Sequence, residues 1–508
     1  MTDSVLVDIS RRGLLLGLSA TLAMPAVPSC ARAPERSRFP QPRPAVIGGG
    51  GSVSLAPART LEQLLARANL GGVTGFAAYD LATGEEIESF QPDAALPPAS
   101  VAKAPTALYA LNRMGLQHHF VTRVRSHGSI GGDGVLRGDL VLEGGGDPTL
   151  QTADLAAMAR HLVGLGLRRV EGRFLVDEGA LPSIASIDPG QAPQAGYSPA
   201  VSGLNLNFNR VHFSWQLTGG RLTLGMDARS GQEIPPVSLI RVQAADRAQP
   251  VYRYAIRDGV EHWSVARAAL TADGSRWLPV RQPGLYAGDV FRSLLAARGV
   301  TLPAPERGSR SGGQVLAQHH SAPMTTMMRD MLRFSTNITA ESAGMAASMQ
   351  AGQRVRDLAA SGGQMSAWLG QRYGVGGMRF VDHSGLGEAS RVTPRQMARL
   401  FLAAHRERQL PDLLRAHPMR DAQRREIPNH PVTVRAKTGT LNFASGLGGY
   451  ADAPGGRRIA FAIFSADLPR RAAIAEADRD RPPGAVDWAR RARALQQGLI
   501  ERWAALHG

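Results

Sequence analysis

Three things are scarce in this chain of 508 residues: cysteine, lysine and long apolar runs. The single cysteine, Cys30, excludes a disulfide framework and a cysteine-based metal cluster within the chain. Beyond residue 30, no apolar run approaches the roughly 18 residues that a membrane-spanning helix needs. Hydrophobic residues still make up 43% of the chain and charged residues 20%, which is typical of a globular protein with a substantial core. At roughly 150 residues per domain, the length predicts two or three domains.

The basic residues of the chain are almost all arginine. Lys103 and Lys437 are the only lysines among 58 basic residues, and the formal net charge is +16. This charge fits either a solvated surface with a bias for arginine or attraction to an anionic envelope of lipid head groups or wall polymer. Nucleic acid is not predicted as a partner, because no basic stretch is interleaved with aromatic residues.

Residues 1–33 are predicted to be an export signal. The pair Arg11–Arg12 directly precedes an apolar stretch over residues 14–27, a pattern typical of the twin-arginine signal for bacterial export. The stretch is too short to span a membrane. We expect either cleavage after Ala33 or lipidation of Cys30, which would attach the chain to a membrane. The predicted location is therefore the periplasm, with peripheral or lipid-anchored membrane association as an open alternative to a free protein.

The rest of the chain shows an α+β pattern. Residues 34–57 are rich in proline and glycine and are expected to form a linker. Helical periodicity and a β-hairpin occupy residues 58–120, and helices followed by three successive strands and a final amphipathic helix occupy residues 316–508. Between them, residues 121–315 alternate short β-like runs with Gly/Pro turns. The pattern predicts one domain formed by 58–120 plus 316–508, with one or two mixed α/β modules inserted at 121–315.

Three short motifs carry the candidate chemistry: Ser100-Val101-Ala102-Lys103, Ser335-Thr336-Asn337 and Lys437-Thr438-Gly439. Ser100 and Lys103 are three residues apart on a predicted helix, so their side chains share one face. A serine hydroxyl becomes an effective nucleophile when a nearby base removes its proton, and Lys103 is close enough to act as that base. Burial and the charge of Lys437 are expected to lower the pKa of Lys103 from its usual value near 10.4.

Both lysines of the chain fall inside these motifs, which two lysines placed at random would do with a probability on the order of one in a thousand. Lys437 is predicted to lie on a strand, where its ammonium can attract a substrate carboxylate. Gly439 would let the strand backbone approach the substrate. The N–H groups of Ser100 and Thr440 are expected to form an oxyanion hole. The predicted substrate-binding residues are therefore Thr438, Gly439 and Thr440.

These motifs resemble those of the low-molecular-mass class C penicillin-binding proteins, the D-alanyl-D-alanine carboxypeptidase/endopeptidase family. The separation of 235 residues between Ser100 and Ser335 matches the point at which this family carries inserted domains. Other segments that resemble the family are Gly144–Leu150, Tyr197–Pro199, Ala340-Glu341 and Asp382–Leu386. The resemblance implies a transpeptidase fold like that of serine β-lactamases, with an antiparallel sheet flanked by helices. It also implies that Ser335 relays a proton to the leaving amine and that Asn337 holds a substrate amide.

The chain departs from the resembled family in three places. Thr336 stands where the family usually has asparagine or aspartate, and its side chain is expected to point away from the cleft. Pro105 lacks an N–H and is expected to kink the helix that begins near Ser100. The D-G-T-L segment that normally precedes K-T-G is not recognisable, and residues 413–417 stand in its place.

The predicted function is that of a serine D-alanyl-D-alanine carboxypeptidase/endopeptidase acting on peptidoglycan stem peptides. Ser100 would attack the carbonyl of the D-Ala-D-Ala bond, and β-lactam antibiotics would acylate the same hydroxyl. No metal and no organic cofactor is implied. The alternative from another class is a catalytically inactive peptidoglycan-binding protein on the same scaffold. A β-lactamase would need an E-x-x-L-N segment, which is missing. An esterase would need a G-x-S-x-G elbow; the nearest candidate, around Ser198, is followed by Pro199, which has no N–H for an oxyanion hole.

Overall fold

The computed structural model describes residues 57–507, apart from residues 408 and 422. The predicted export signal, Cys30 and all but the last residue of the predicted linker lie outside the described residues. Within the described part of the chain, no helix is long and apolar enough to cross a membrane.

The described residues form eleven α-helices and eighteen strands. The α-helices are α1 (Leu61–Ala68), α2 (Lys103–Met114), α3 (Thr152–Gly164), α4 (Pro283–Ala296), α5 (Met324–Phe334), α6 (Asn337–Gln350), α7 (Leu358–Tyr373), α8 (Pro394–Arg406), α9 (Gln409–Leu413), α10 (Leu468–Ala472) and α11 (Ala485–His507). The first strands are β1 (Val73–Asp80), β2 (Glu86–Phe90), β3 (Val121–His127), β4 (Val135–Leu136), β5 (Asp139–Glu143), β6 (Arg169–Val170), β7 (Phe174–Asp177), β8 (Arg210–Thr218) and β9 (Arg221–Asp227). The remaining strands are β10 (Ile240–Ala245), β11 (Tyr252–Arg257), β12 (Val260–Ala266), β13 (Gly274–Pro279), β14 (Pro305–Arg307), β15 (Gln314–His320), β16 (Thr433–Leu441), β17 (Ala444–Asp452) and β18 (Arg458–Ala466).

A five-stranded antiparallel sheet, in the order β16-β17-β18-β1-β2, forms the centre of the domain that carries the motifs. Side chains along β1 alternate between its two faces. Phe76 and Ala78 pack with α1 and α11 on one side, whereas Ala77 and Tyr79 pack with α2 and α8 on the other. Both faces of the sheet are therefore covered by helices, and the predicted α+β fold class is confirmed.

The α2 helix lies in the middle of the helical layer and is buried on all sides from Lys103 to Leu111. A short 3-10 turn, Ala99–Ala102, leads into it, so Ser100 precedes the α-helix proper. Pro105 is the third residue of α2. At that position a missing N–H has no intrahelical acceptor to lose, and proline fits the first turn of a helix. The helix runs from Lys103 to Met114, so the expected kink is replaced by the 3-10 turn in front of it.

The inserted segment has its own sheet and its own apolar core. Its main sheet has the order β14-β7-β5-β3-β15, with parallel pairs at β5–β7 and β7–β14, and α3 and α4 share its core. Two three-stranded sheets, β10-β12-β11 and β13-β8-β9, extend it. The predicted boundary at residue 315 falls within β15, which pairs with β3 along its length. The inserted sheet therefore extends to His320, beyond the predicted boundary.

The insert packs onto the motif-bearing domain through a small apolar cluster. Leu181 and Val201 of the insert are buried together with Ile338 and Met345 of α6. Because Ile338 directly follows Asn337, this cluster brings the insert beside the middle motif. The insert is thus part of the surroundings of the candidate site.

Candidate active site

The candidate nucleophile lies at a strained point of the backbone. Ala99, directly before Ser100, has a φ of 47°, in the left-handed region that residues other than glycine rarely adopt. Val101 and Ala102 on the other side are fully buried and anchor the turn. Such strain persists only where the surroundings hold it in place, and it is concentrated at functional sites. Ser100 itself is only partly buried.

Lys103 is fully buried and surrounded by three oxygen atoms. Its Nζ lies 3.0 Å from Ser100 Oγ, 2.7 Å from Asn337 Oδ1 and 2.8 Å from the carbonyl oxygen of Ser384. Carbonyl oxygens only accept hydrogen bonds. A neutral lysine amine has two N–H groups and one lone pair, so donation to Asn337 and Ser384 leaves the lone pair facing the Ser100 hydroxyl. This arrangement is what a general base for that hydroxyl requires.

Burial lowers the pKa of Lys103 to about 8, while the carboxyl groups of Glu341 and Asp382 act in the opposite direction. At neutral pH about a tenth of Lys103 is then in the free-base form. The pKa of Lys437 is lowered well below its usual value, first by burial and then by the charges of Lys103 and Arg415. The expectation that Lys437 depresses the pKa of Lys103 therefore needs correction: desolvation is the cause at Lys103.

Lys437 and Ser335 form a second pair beside the first. Lys437 Nζ lies 3.0 Å from Ser335 Oγ and 2.7 Å from the carbonyl oxygen of Thr438. Ser335 ends α5 in the left-handed conformation, with a φ of 58°. The chain turns sharply there, and α6 begins two residues later. As a result Ser335 contacts Lys437, and Asn337 contacts Lys103.

Asn337 joins Lys103 to the insert. Its Oδ1 accepts from Lys103, and its Nδ2 donates to the carbonyl oxygen of Tyr197 at 2.8 Å. These two contacts fix the orientation of the amide, since only the oxygen can accept. The amide has a second N–H, which could still serve the predicted contact to substrate. Tyr197 belongs to one of the segments that resemble the family, but nothing in the sequence connected it to Asn337.

Gly439 lets β16 lie directly against the turn that carries Ser100. A Cβ atom at Gly439 would lie 2.8 Å from the carbonyl oxygen of Pro98 and 2.9 Å from the backbone nitrogen of Ser100, closer than real Cβ contacts. The turn that carries Ser100, the nucleophile turn, therefore leaves no room for a side chain at position 439. This reason for a glycine differs from the predicted one, which was close approach of the strand to the substrate. Thr438, partly buried, and Thr440, exposed, lie on either side of it.

Two buried carboxyl groups next to Lys103 were not predicted as site residues. Glu341 accepts hydrogen bonds from the backbone nitrogens of His383 and Ser384, and Asp382 accepts from those of Gly385 and Gly387. Burial raises the pKa of both carboxyl groups. The available signal in the sequence was the spacing of four residues between Asn337 and Glu341, which puts both on one face of a helix. Among the described residues, no group of His, Cys, Asp and Glu side chains is arranged to hold a metal ion.

Residues 58–488 match the D-Ala-D-Ala carboxypeptidase 3 (S13) family. The chain belongs to this family. It is 29% identical over 426 residues to a D-alanyl-D-alanine carboxypeptidase of Actinomadura sp. strain R39, a match that covers 78% of each chain. A D-alanyl-D-alanine carboxypeptidase of Haemophilus influenzae is 22% identical over 423 residues, covering 78% of this chain and 85% of the relative.

Solved structures show the same fold. Penicillin-binding protein 4 of Haemophilus influenzae matches with a TM-score of 0.67 at 20% identity, over 83% of this chain and 98% of that one. A second structure of the same protein, in complex with a β-lactam, matches with a TM-score of 0.65. The S13 match spans all three motifs and the insert between them. The resemblance to the low-molecular-mass class C penicillin-binding proteins and the prediction of a serine-type carboxypeptidase are therefore confirmed at the level of the family.

Proposed function

We propose that this S13 member is a D-alanyl-D-alanine carboxypeptidase/endopeptidase of peptidoglycan that works through an acyl-enzyme on Ser100. The observation that carries the proposal is the contact of 3.0 Å between Lys103 Nζ and Ser100 Oγ, in a setting where the other two partners of Nζ are acceptors. The names of its relatives, which are D-alanyl-D-alanine carboxypeptidases, support the same substrate class.

The reaction begins with proton transfer from Ser100 to Lys103. Ser100 Oγ then attacks the carbonyl carbon of the peptide bond between the two D-alanines. The backbone N–H groups of Ser100 and Thr440 hold the negative charge that develops on the carbonyl oxygen. Collapse of the tetrahedral intermediate breaks the C–N bond, and the proton that Lys103 took from Ser100 passes through Ser335 to the leaving amine. Water then hydrolyses the ester and restores the Ser100 hydroxyl.

Lys437 supplies the positive charge at the end of the cleft where a C-terminal carboxylate would bind. Charge-assisted hydrogen bonds are stronger than neutral ones, and burial strengthens them further. When the leaving amine belongs to a second stem peptide, the same steps cut a D-alanyl cross-link, which is the endopeptidase reaction. A β-lactam presents a cyclic amide to Ser100, and the β-lactam complex of penicillin-binding protein 4 supports this class of ligand.

The test is the intact mass of the purified mature protein after incubation with benzylpenicillin, measured beside Ser100→Ala. We expect a stoichiometric adduct on the wild type only. A folded wild type without adduct, with the drug left intact, would point to the catalytically inactive wall-binding alternative. Drug consumed without a lasting adduct would instead indicate rapid deacylation, as in a β-lactamase.

We further propose that the chain is exported to the periplasm by the twin-arginine route. The arginine pair before a short apolar stretch supports this location, as does a substrate that lies outside the cytoplasm. Membrane association through a lipid on Cys30 is tested with Cys30→Ser. We expect the wild type in the membrane fraction and the variant in the soluble periplasmic fraction if Cys30 is lipidated. Equal distribution of both would favour cleavage after Ala33.

A further inference from the structure

We propose that Glu341 is a positioning residue for proton transfer in this site, because it fixes the main-chain carbonyl of Ser384 that orients the Lys103 amine. The inference rests on the function proposed above and assigns a role within the same site. Glu341 does not reach Ser100, and it acts through one peptide unit. Three observations carry the inference: the contacts of the carboxylate, the placement of α6, and the way the rest of the Asp382–Gly387 loop is held.

The carboxylate of Glu341 holds the backbone on the far side of the Lys103 contact. Glu341 Oε2 lies 2.9 Å from the backbone nitrogen of His383, and Oε1 lies 2.9 Å from that of Ser384. The carbonyl oxygen of Ser384 in turn accepts from Lys103 Nζ at 2.8 Å. All four residues are fully buried, so water cannot replace a lost contact. A shift of Ser384 therefore moves one of the two acceptors that direct the lone pair of Lys103 toward Ser100.

The α6 helix positions both carbonyl acceptors of Lys103. One acceptor belongs to α6 itself, and the other, the carbonyl oxygen of Ser384, is held by Glu341 of α6. Asn337 is the first residue of α6 and contacts Lys103 itself. Glu341 lies one turn further along, so the two side chains share a face. Because a helix is stiff, the two contacts keep a fixed relation to each other. One helix therefore fixes the positions of two of the three oxygen atoms that contact Lys103 Nζ.

A second carboxylate holds the other half of the Asp382–Gly387 loop. Asp382 Oδ1 lies 2.9 Å from the backbone nitrogen of Gly385, and Oδ2 lies 2.6 Å from that of Gly387. Gly385 packs so closely on the nucleophile turn that a Cβ atom there would lie 1.9 Å from the carbonyl oxygen of Ala99. Asp382 therefore holds the loop against the turn that carries Ser100, which leaves Glu341 to hold the part that faces Lys103.

The two conservative changes at Glu341 separate its possible effects. Glutamine has one carbonyl oxygen and one NH2 group, so one of the two backbone N–H groups would face another donor, and the negative charge would be lost. Aspartate keeps the charge but is one methylene shorter. Where Glu341 is ionised, its charge opposes the effect of burial on the pKa of Lys103, so replacing it by glutamine is expected to lower that pKa further.

The insert offers a control for the loss of a buried carboxyl group in Glu261 of β12. Glu261 is also buried, and it also accepts from two consecutive backbone nitrogens, those of Arg281 and Gln282, at 2.9 and 2.8 Å. Burial raises its pKa as it does at Glu341. Both bonds end on the same oxygen, Oε1, so Glu261→Gln can keep the two hydrogen bonds while it removes a buried carboxyl group. It therefore controls for the loss of a buried carboxyl group at a position that contacts none of the three motifs.

The experiment measures the rate of acylation by benzylpenicillin from about pH 5 to about pH 10 for the full mature protein and its variants. We expect the saturating rate constant of Glu341→Gln to fall on the order of 100-fold, the loss typical of a misplaced catalytic group, with a smaller change in the half-saturating concentration. We also expect its pH midpoint to move to lower pH. Glu341→Asp should restore the midpoint, and Glu261→Gln should keep both the rate and the midpoint.

Several results would overturn the inference. A wild-type rate and midpoint in Glu341→Gln would do so, and so would the same changes in Glu261→Gln. If Glu341→Gln does not fold, as judged by thermal unfolding, Glu341→Asp decides: a reduced rate with an unchanged midpoint supports the role, and an unchanged rate contradicts it. A wild type that is not acylated at all would instead contradict the proposed function, which keeps the two failures distinct.

Discussion

At the scale of single residues, Lys103 and Lys437 are both buried but have opposite surroundings. Lys103 lies near the carboxyl groups of Glu341 and Asp382, whose charges raise its pKa against the effect of burial. Lys437 has cationic neighbours, which lower its pKa together with burial. The sequence pointed to the same two residues, but it did not indicate which charges lie near which lysine. That information depends on the carboxyl groups of Glu341 and Asp382, which are distant from Lys103 along the chain.

Replacing each lysine by arginine distinguishes a base from a fixed charge. Arginine stays protonated at any accessible pH and cannot accept the proton of Ser100. We expect Lys103→Arg to slow acylation by benzylpenicillin on the order of 1000-fold, within the range for loss of a general base. Lys437→Arg, which places a permanent charge at an equally buried position, is the control and should lose less. Equal losses in the two variants would contradict the assignment of Lys103 as the base.

The pH dependence of acylation follows from the pKa of Lys103. The base acts only in its neutral form, so the rate should increase with pH below the pKa and level off above it. With a pKa of about 8 for Lys103, we expect the second-order rate constant for benzylpenicillin to rise through neutral pH and reach a plateau above about pH 8. Stopped-flow or quenched measurements on the wild type check this. A rate that is flat through this range would contradict it.

At the scale of elements, local sequence patterns predicted the helices and strands that local interactions determine. The helical periodicity predicted within residues 58–120 corresponds to α1 and α2, and the three strands near the C-terminus pair in sequence as expected. The close approaches around Ser100 were not predictable, because they depend on how distant elements meet. Gly385 and Gly439 both pack closely against the nucleophile turn. The residues next to them in the sequence give no indication of this contact.

The contact between β16 and the nucleophile turn can be tested at Gly439. In Gly439→Ala the added methyl group would overlap the backbone of Pro98 and Ser100, so the strand must move away. We expect acylation to fall at least 100-fold, as for a displacement of about 1 Å in an active site. Gly363→Ala is the control, since a Cβ atom there meets nothing within 4 Å on the exposed side of α7. It should keep full activity and gain about 0.5–1 kcal/mol in the free energy of unfolding.

At the scale of the whole molecule, the insert and the motif-bearing domain share the active site. The insert has its own core, but Tyr197 accepts from Asn337, and Val201 packs on α6. The change of texture in the sequence predicted an inserted segment over residues 121–315. The strand β15 joins the sheet of the insert beyond residue 315, through a pairing with β3 that connects positions nearly two hundred residues apart and that no local pattern reveals.

The influence of the insert on the site can be measured with two valines. Val201→Ala should remove about 2 kcal/mol of stability through the cavity that it leaves. It should also slow acylation about fivefold, the equivalent of about 1 kcal/mol for a weakened hydrogen bond between Tyr197 and Asn337. Val300→Ala, in the core of the insert itself, should lose comparable stability without slowing acylation. Thermal unfolding and mass-resolved acylation check both variants, and equal rates in the two would contradict the coupling.

The chain enters the insert at Val121 and leaves it at His320, and these two residues lie opposite each other on neighbouring strands. A segment whose two ends meet can be grafted into a gene without displacing what lies on either side. Ser100 and Lys103 are encoded before the graft, and the other motifs after it. Exchange of this module between relatives could therefore alter what reaches the cleft while leaving the chemistry of acylation in place.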